Sequence, residues 1–519
     1  MQLLESNPNA CLYEGEPQQA LSTLAYSDAH SLQYTAATAL SEVSEFDVRA
    51  VDAEIIKMLL YMLNSAYDDV QHSASSALGN LSVELANQHL IIKHSGLDAL
   101  VRQMFSPSVG SQINAVGCIT NLAMAEENKG RIIASGALVP LTRLARSQDT
   151  QVRRNATGAL LNMSHAAHHR RELANTGAVP VLMELLDVSD QDTQYYAAAA
   201  LSNIAVDAEG RQWLAPDSDM LVDSLVILAN TVENTDVQAQ AMMTLRNLAS
   251  DGEFQLKIVQ RGGLVPVGQL LQSTSNGLVS AAAACLRNLS IHSDNEAPIV
   301  ETGLISNVAN LVPQAEDPEI QRHAVAVLRN LAANAGSDKT CLIEAGMMES
   351  FQVALANRQT QSAVVAEMLA AINVFAISDQ LWPFVLAGNM LEILIPMTRS
   401  RHAQIQINAC RTIGTLASKG TGVAAPFIRA WRAPRGGLQG YLAEALVLPV
   451  YANMQSIAVW TVRALLASGS KDLVRLIRED SAIVSAIEDL AKQRPPHASY
   501  TSTAAPSSAS SFITAPTTP

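Results

Sequence analysis

The chain of 519 residues carries 34 Lys+Arg against 48 Asp+Glu, a formal charge of −14. That balance argues against general polyanion binding, so nucleic acid or anionic lipid would each need a local basic site. Apolar residues reach 48% while aromatics reach only 4%, which suits many thin helical layers and excludes one thick sandwich or barrel core.

From the N-terminus, residues 1–15 read as a tail. They lack a basic segment followed by an apolar run, so they form no secretory signal. Five scattered cysteines, Cys11, Cys118, Cys285, Cys341 and Cys410, contain no CxxC pair and point to a reducing compartment. The most apolar stretch, Val364 to Ile377, is interrupted by Glu367 and Asn373 and is too short to span a membrane.

A recurring Leu-x-Asn-Leu ending organises residues 16–492. It reads LGNLS at Leu78, ITNLA at Ile119, LLNMS at Leu160, LSNIA at Leu201, LRNLA at Leu245, LRNLS at Leu286 and LRNLA at Leu328. The asparagines are Asn80, Asn121, Asn162, Asn203, Asn247, Asn288 and Asn330, at intervals of 41, 41, 41, 44, 41 and 42 residues. Asn373 continues the series, and Glu42, Thr415 and Ala464 fill the same slot elsewhere, so roughly eleven units fit.

Each unit opens with a Gly that ends the previous element and starts a short apolar helix, as in SGALVPLTRLA from Ser135. A polar turn and a longer helix follow, whose stripe of Ala156, Ala159, Leu160 and Met163 has helical spacing. One unit cannot bury such a stripe alone, but stacked neighbours can, so a helical solenoid is expected. The wider interval from Thr415 to Ala464 predicts an enlarged loop at about 420–440, and residues 493–519, rich in Pro, Ser, Thr and Ala, read as a disordered tail.

No GxxxxGK[ST], GxSxG, HExxH or GxGxxG occurs, so enzyme activity and cofactors have no sequence support. His165, His168 and His169 are expected in a solvated turn with no acidic partner adjoining, which argues against a metal site. Trp213, Trp382, Trp431 and Trp460 share no repeat slot and are expected to pack in core or loops.

In stacked units the last helix of each repeat lines a concave face, so one slot becomes a row about 8 to 10 Å apart. An Asn there offers a donor and an acceptor to the main chain of an extended peptide, about one Asn per three peptide residues. The competing reading, that these amides tie neighbouring helices together, stands equally. Just before the Asn come Gly79, Thr120, Leu161 and Ser202, then Arg246, Arg287 and Arg329 in consecutive units, a local positive stripe suited to carboxylates and carbonyls of a docked chain. His323, two turns before Asn330 on the same face, extends this polar floor, where other units hold Asn114, Asn155, Tyr196 and Gln240.

In AVGCITNLA, RRNATGALLNMS, QYYAAAALSNIAVD and LRNLSIH the chain resembles the armadillo-repeat family, and within it the fungal vacuolar armadillo scaffolds, over about residues 16 to 490. The resemblance implies an all-α, right-handed superhelical solenoid that binds proteins without catalysis, peripheral on the cytosolic face of the vacuole. It implies roles in vacuole inheritance, vacuole fusion, nucleus-vacuole contact and selective autophagy. The partners implied are a myosin adaptor, a nuclear-envelope junction protein and an autophagy regulator, whose segments contact the arginine row, matching Arg246, Arg287 and Arg329. Self-association is open.

The family's Met-Gly acylation signal is absent from Met1-Gln2, so an acylated start upstream of Met1, or recruitment by a partner, is the expectation; with the given start the chain would be cytosolic. Nuclear-import receptors of this type place Trp four residues before the Asn, where Gly117, Gly158, Ala199, Met243, Ala284 and Ala326 stand here. A soluble catenin-like or signalling adaptor is the alternative.

Overall fold

Four of the long helices begin at an Asp or Ser whose side chain accepts from the first-turn backbone: Ser108, Asp149, Asp190 and Asp317. Each cap satisfies a donor that the helix itself leaves orphaned. In this computed structural model, which describes residues 12–231, 234–334, 339–433, 436–447 and 452–492, eleven such long helices occur, running from His30–Phe46 to Ala452–Ala467. The predicted stripe packs as expected: Ala156, Ala159, Leu160 and Met163 are all fully buried. Successive long helices stack on one another, the Thr150–Met163 helix lying between Val109–Leu122 and Gln191–Ile204.

The repeat holds one helix more than the two-helix reading. After each Asn-Leu ending comes a short first helix, such as Leu85–Lys93, Glu126–Ala134 and Ala167–Asn175. Buried polar side chains on it reach back to the open carbonyls of the preceding long helix. Asn87 donates to Leu81 O at 3.0 Å, Asn128 to Leu122 O at 3.0 Å and Asn295 to Leu289 O at 3.0 Å. Gln88, Arg170, Gln255 and the half-buried Arg211 do the same one position later. The turn after this helix then needs a left-handed residue: Gly136, Gly177, Gly262, Gly303 and Gly346 supply it, with Ser95 and Asn389 in the same conformation elsewhere.

The chain divides into two compact units, residues 1–354 and 355–519. In the first, the packed body starts earlier than the predicted tail boundary, because Leu12 and Tyr13 are already buried and a helix begins at Gly15. In the second, the expected enlarged loop at 420–440 is corrected: it contains the helix Ala424–Trp431 and the start of Gly437–Val447. Phe427 and Trp431 anchor the first of these in the core, and the second runs 11 residues where Leu138–Leu144 has 7. The predicted disordered segment 493–519 and residues 1–11 lie outside the described residues.

Trp431 is buried, the ring of Trp382 fills the space above Gly422, and that of Trp460 lies against Gly414. Trp460 stands four residues before Ala464, where import receptors place tryptophan, and the other three stand elsewhere, so the four share no slot. Packed onto glycine, Trp460 closes a helix contact.

Candidate partner-binding groove

The ladder asparagines of the first unit share one geometry. Each sits on its long helix and donates from Nδ2 to the repeat before it. Asn80 reaches Ser44 Oγ at 3.0 Å, Asn162 reaches Thr120 O at 3.1 Å, and Asn203 reaches Ser164 Oγ at 2.8 Å. Asn121 reaches Gly79 O at 3.3 Å and Ser82 Oγ at 2.9 Å; Asn247 reaches Ser202 O at 3.0 Å. Asn288 holds Arg246 O at 2.9 Å and Asn330 holds Arg287 O at 3.2 Å. The amides thus do tie neighbouring helices together, as one of the two readings held. All but Asn288 keep partial exposure. Asn373, in the second unit, instead accepts from Thr415 Oγ1 at 3.1 Å.

These bonds fix the main chain on which the arginines are mounted. Arg246, Arg287 and Arg329 are each partly exposed. Among the described residues neither Arg246 nor Arg287 has a carboxylate within ion-pair distance. Arg287 turns Nε and Nη2 onto Asn288 Oδ1, at 3.3 and 3.1 Å, and approaches His323 Nδ1 with Nη1 at 3.4 Å. Burial, followed by the charges of Arg246, Arg322 and Arg329, lowers the pKa of Arg287. His323 is pushed down to about 3 by burial and then by Arg287, Arg246 and Arg322, so its ring is neutral at physiological pH and its Nδ1 accepts.

The structure thus draws the predicted arginines and His323 into one electrostatic neighbourhood. It adds Arg322, which the repeat slot did not flag; Arg322 pairs with Glu319 at 2.6 Å on its own helix. Arg246 and Arg287, with no carboxylate at ion-pair distance among the described residues, are a place for a partner's carboxylates. At the neutral end of the row the neighbouring repeat packs close to the glycines, with the Asn155 amide 3.2 Å from where a Cβ on Gly117 would stand and the Thr120 methyl 3.5 Å and the Tyr196 ring 3.9 Å from one on Gly158.

The histidine cluster departs from expectation. His168 and His169 belong to the helix Ala167–Asn175, His169 is buried, and Glu126 of the preceding repeat brings its ligand atom within 4.8 Å of theirs. An acidic partner therefore does adjoin, through stacking that sequence spacing does not reveal. The Glu126 carboxylate is held by Lys129 at 2.7 Å, and that Lys side chain is only 4% exposed. A dication placed there would face a buried ammonium, so the donor set suits an ion pair better than a metal.

The Armadillo/beta-catenin-like repeat model matches residues 86–124, 125–165 and 167–206. Vacuolar protein 8 of Schizosaccharomyces pombe is 48% identical over 94% of this chain and 88% of its own length. The chain belongs to the Vacuolar protein 8 family of armadillo-repeat proteins. The Candida albicans member is 45% identical over 94% of this chain and 83% of its own length. An engineered protein of known crystal structure superposes with a TM-score of 0.69 at 26% identity, covering 77% of this chain and 98% of that one. The all-α solenoid expected from the repeat, and the armadillo fold that the resemblance implies, are thereby shown.

Proposed function

We propose that this Vacuolar protein 8 family member is a non-enzymatic scaffold at the cytosolic face of the vacuole, holding partner segments along the row from Asn80 to Asn330. Vacuole inheritance, vacuole fusion, nucleus-vacuole contact and selective autophagy are the processes it serves, through the partner classes implied by its resemblance. The observation that carries the reading is the guanidinium cluster of Arg246 and Arg287, with Arg329 in the next unit, mounted on helices that the asparagines lock together. No helix among the described residues is long and apolar enough to cross a membrane, so the reading places the chain at the vacuole by peripheral attachment.

Replacing Arg246, Arg287 and Arg329 together by Glu tests it. Binding of the cytosolic segments of the myosin adaptor, junction protein and autophagy regulator, read by fluorescence anisotropy, is expected to fall at least about a hundredfold, consistent with loss of clustered hot spots. Melting temperature and helicity stay at parental values. Undiminished binding of all three segments by the triple variant would refute the groove reading.

A further inference from the structure

The charge of the chain is segregated. Residues 1–354 hold 20 Lys+Arg and 39 Asp+Glu, whereas residues 355–519 hold 14 and 9. Within the second unit five of the 14 basic side chains lie on, or in the case of Arg432 cap, two short helices that pack against each other, Ala424–Trp431 and Lys471–Glu479.

Both are first helices of their repeats. Phe427 and Trp431 bury one side of the former, and Leu473 and Ile477 one side of the latter. The opposite sides follow the same spacing of four and then three residues: Ala425, Arg429 and Arg432 on one, Lys471, Arg475 and Arg478 on the other, all exposed. Positions so spaced share one helix face. Two acidic groups adjoin: Asp472, paired with Arg475 at 3.2 Å, and Glu479. Elsewhere the matching faces mix signs, as where Arg171 meets Glu209 at 2.9 Å and Glu253 shares a helix with Lys257. Between the cations, Ile428, Val474 and Leu476 are partly exposed, and an open depression of about 450 Å³ is lined by Lys471, Val474, Arg475 and Arg478.

We infer that this cationic edge, Arg429, Arg432, Lys471, Arg475 and Arg478, docks on an anionic bilayer surface. It meets the requirement the composition sets, a local basic site on an acidic protein. A bilayer is favoured over an acidic peptide because these faces carry no ladder of side-chain amides to hold a main chain in register. Mobile lipid headgroups need none, and the partly exposed aliphatic side chains suit the headgroup boundary. The inference deepens the vacuolar reading and rests on it for which membrane is met.

The test is flotation of the purified full chain with vesicles of phosphatidylcholine alone or mixed with phosphatidylserine. At about 0.1 M salt, the mixed vesicles are expected to retain at least about tenfold more protein, since each basic side chain near such a surface is worth about fivefold in partitioning and two acidic groups offset part of the gain. The gain is lost at about 1 M salt and in the variant carrying Arg429→Glu, Arg432→Glu, Lys471→Glu, Arg475→Glu and Arg478→Glu. Should that variant unfold by circular dichroism, the neutral set Lys471→Gln, Arg475→Gln and Arg478→Gln replaces it, with a several-fold loss expected. The groove variant with Glu at Arg246, Arg287 and Arg329 floats like the parent. Equal retention by both vesicle types, full retention by the folded charge variants, or capture by polyglutamate without flotation would overturn the inference. Groove binding of partner segments would then still stand, so the two failures are separable.

Discussion

His323 shows how a single residue senses the groove. Its folded pKa of about 3 lies below the ordinary histidine value of about 6.5. The unfolded chain therefore takes up a proton as pH falls below about 6.5 while the folded chain resists it. The stability contributed by the neutral ring is complete above that pH and is lost progressively towards pH 3. Replacing His323 by Gln is expected to flatten the fall of melting temperature between pH 6.5 and 4, values spanning that window; an unchanged acid profile would show the ring to be solvated. For the same reason, partner affinity between about pH 5 and 8 is expected to show no step from this ring. The sequence placed His323 on the right face from its distance to Asn330 alone. It gave no sign of Arg322 as a member of the neighbourhood, because Arg322 lies off the repeating slot and its influence is felt through space.

At the scale of the helix, the first short helix of each repeat escaped the sequence reading while the other two did not. Its apolar pattern is short, and its most consistent signal is polar: Asn or Gln, or Arg, seven or eight residues after the ladder Asn, reaching back to a carbonyl six residues earlier. Gly210 shows how tightly this helix fits. A Cβ there would lie 1.7 Å from Ile204 O. Gly210→Ala is therefore expected to lower the melting temperature by several degrees, as for other substitutions that force backbone apart, whereas Gly130→Ala, with nothing within 4 Å of its Cβ position, is expected to leave it unchanged or raise it slightly. The ladder gives a second measure. Asn162→Ala removes the bond to Thr120 O and is expected to cost about 1 kcal/mol, read by chemical denaturation.

Over the whole molecule, repeats contact chiefly their neighbours, so stability accumulates repeat by repeat. Calorimetric unfolding is expected to give an enthalpy larger than the van't Hoff value, the mark of a transition that is not all-or-none; equality of the two would mean full cooperativity. The repeat period and the buried stripe made the architecture legible in the sequence. The segregation of charge was equally present there, but only helix packing shows that Arg429 and Arg475 occupy like faces of adjacent elements. The ladder, finally, has a polarity. From Asn80 to Asn330 each Nδ2 is turned back towards the preceding repeat, leaving the side-chain oxygens, save that of Asn288 which Arg287 occupies, as what the asparagines can offer. These oxygens read hydrogens, while the neighbouring arginines read acceptors. An extended partner is expected to be gripped where its main chain has an N–H to give, about once in three residues, and one with proline at those intervals is expected to lose the asparagine contacts.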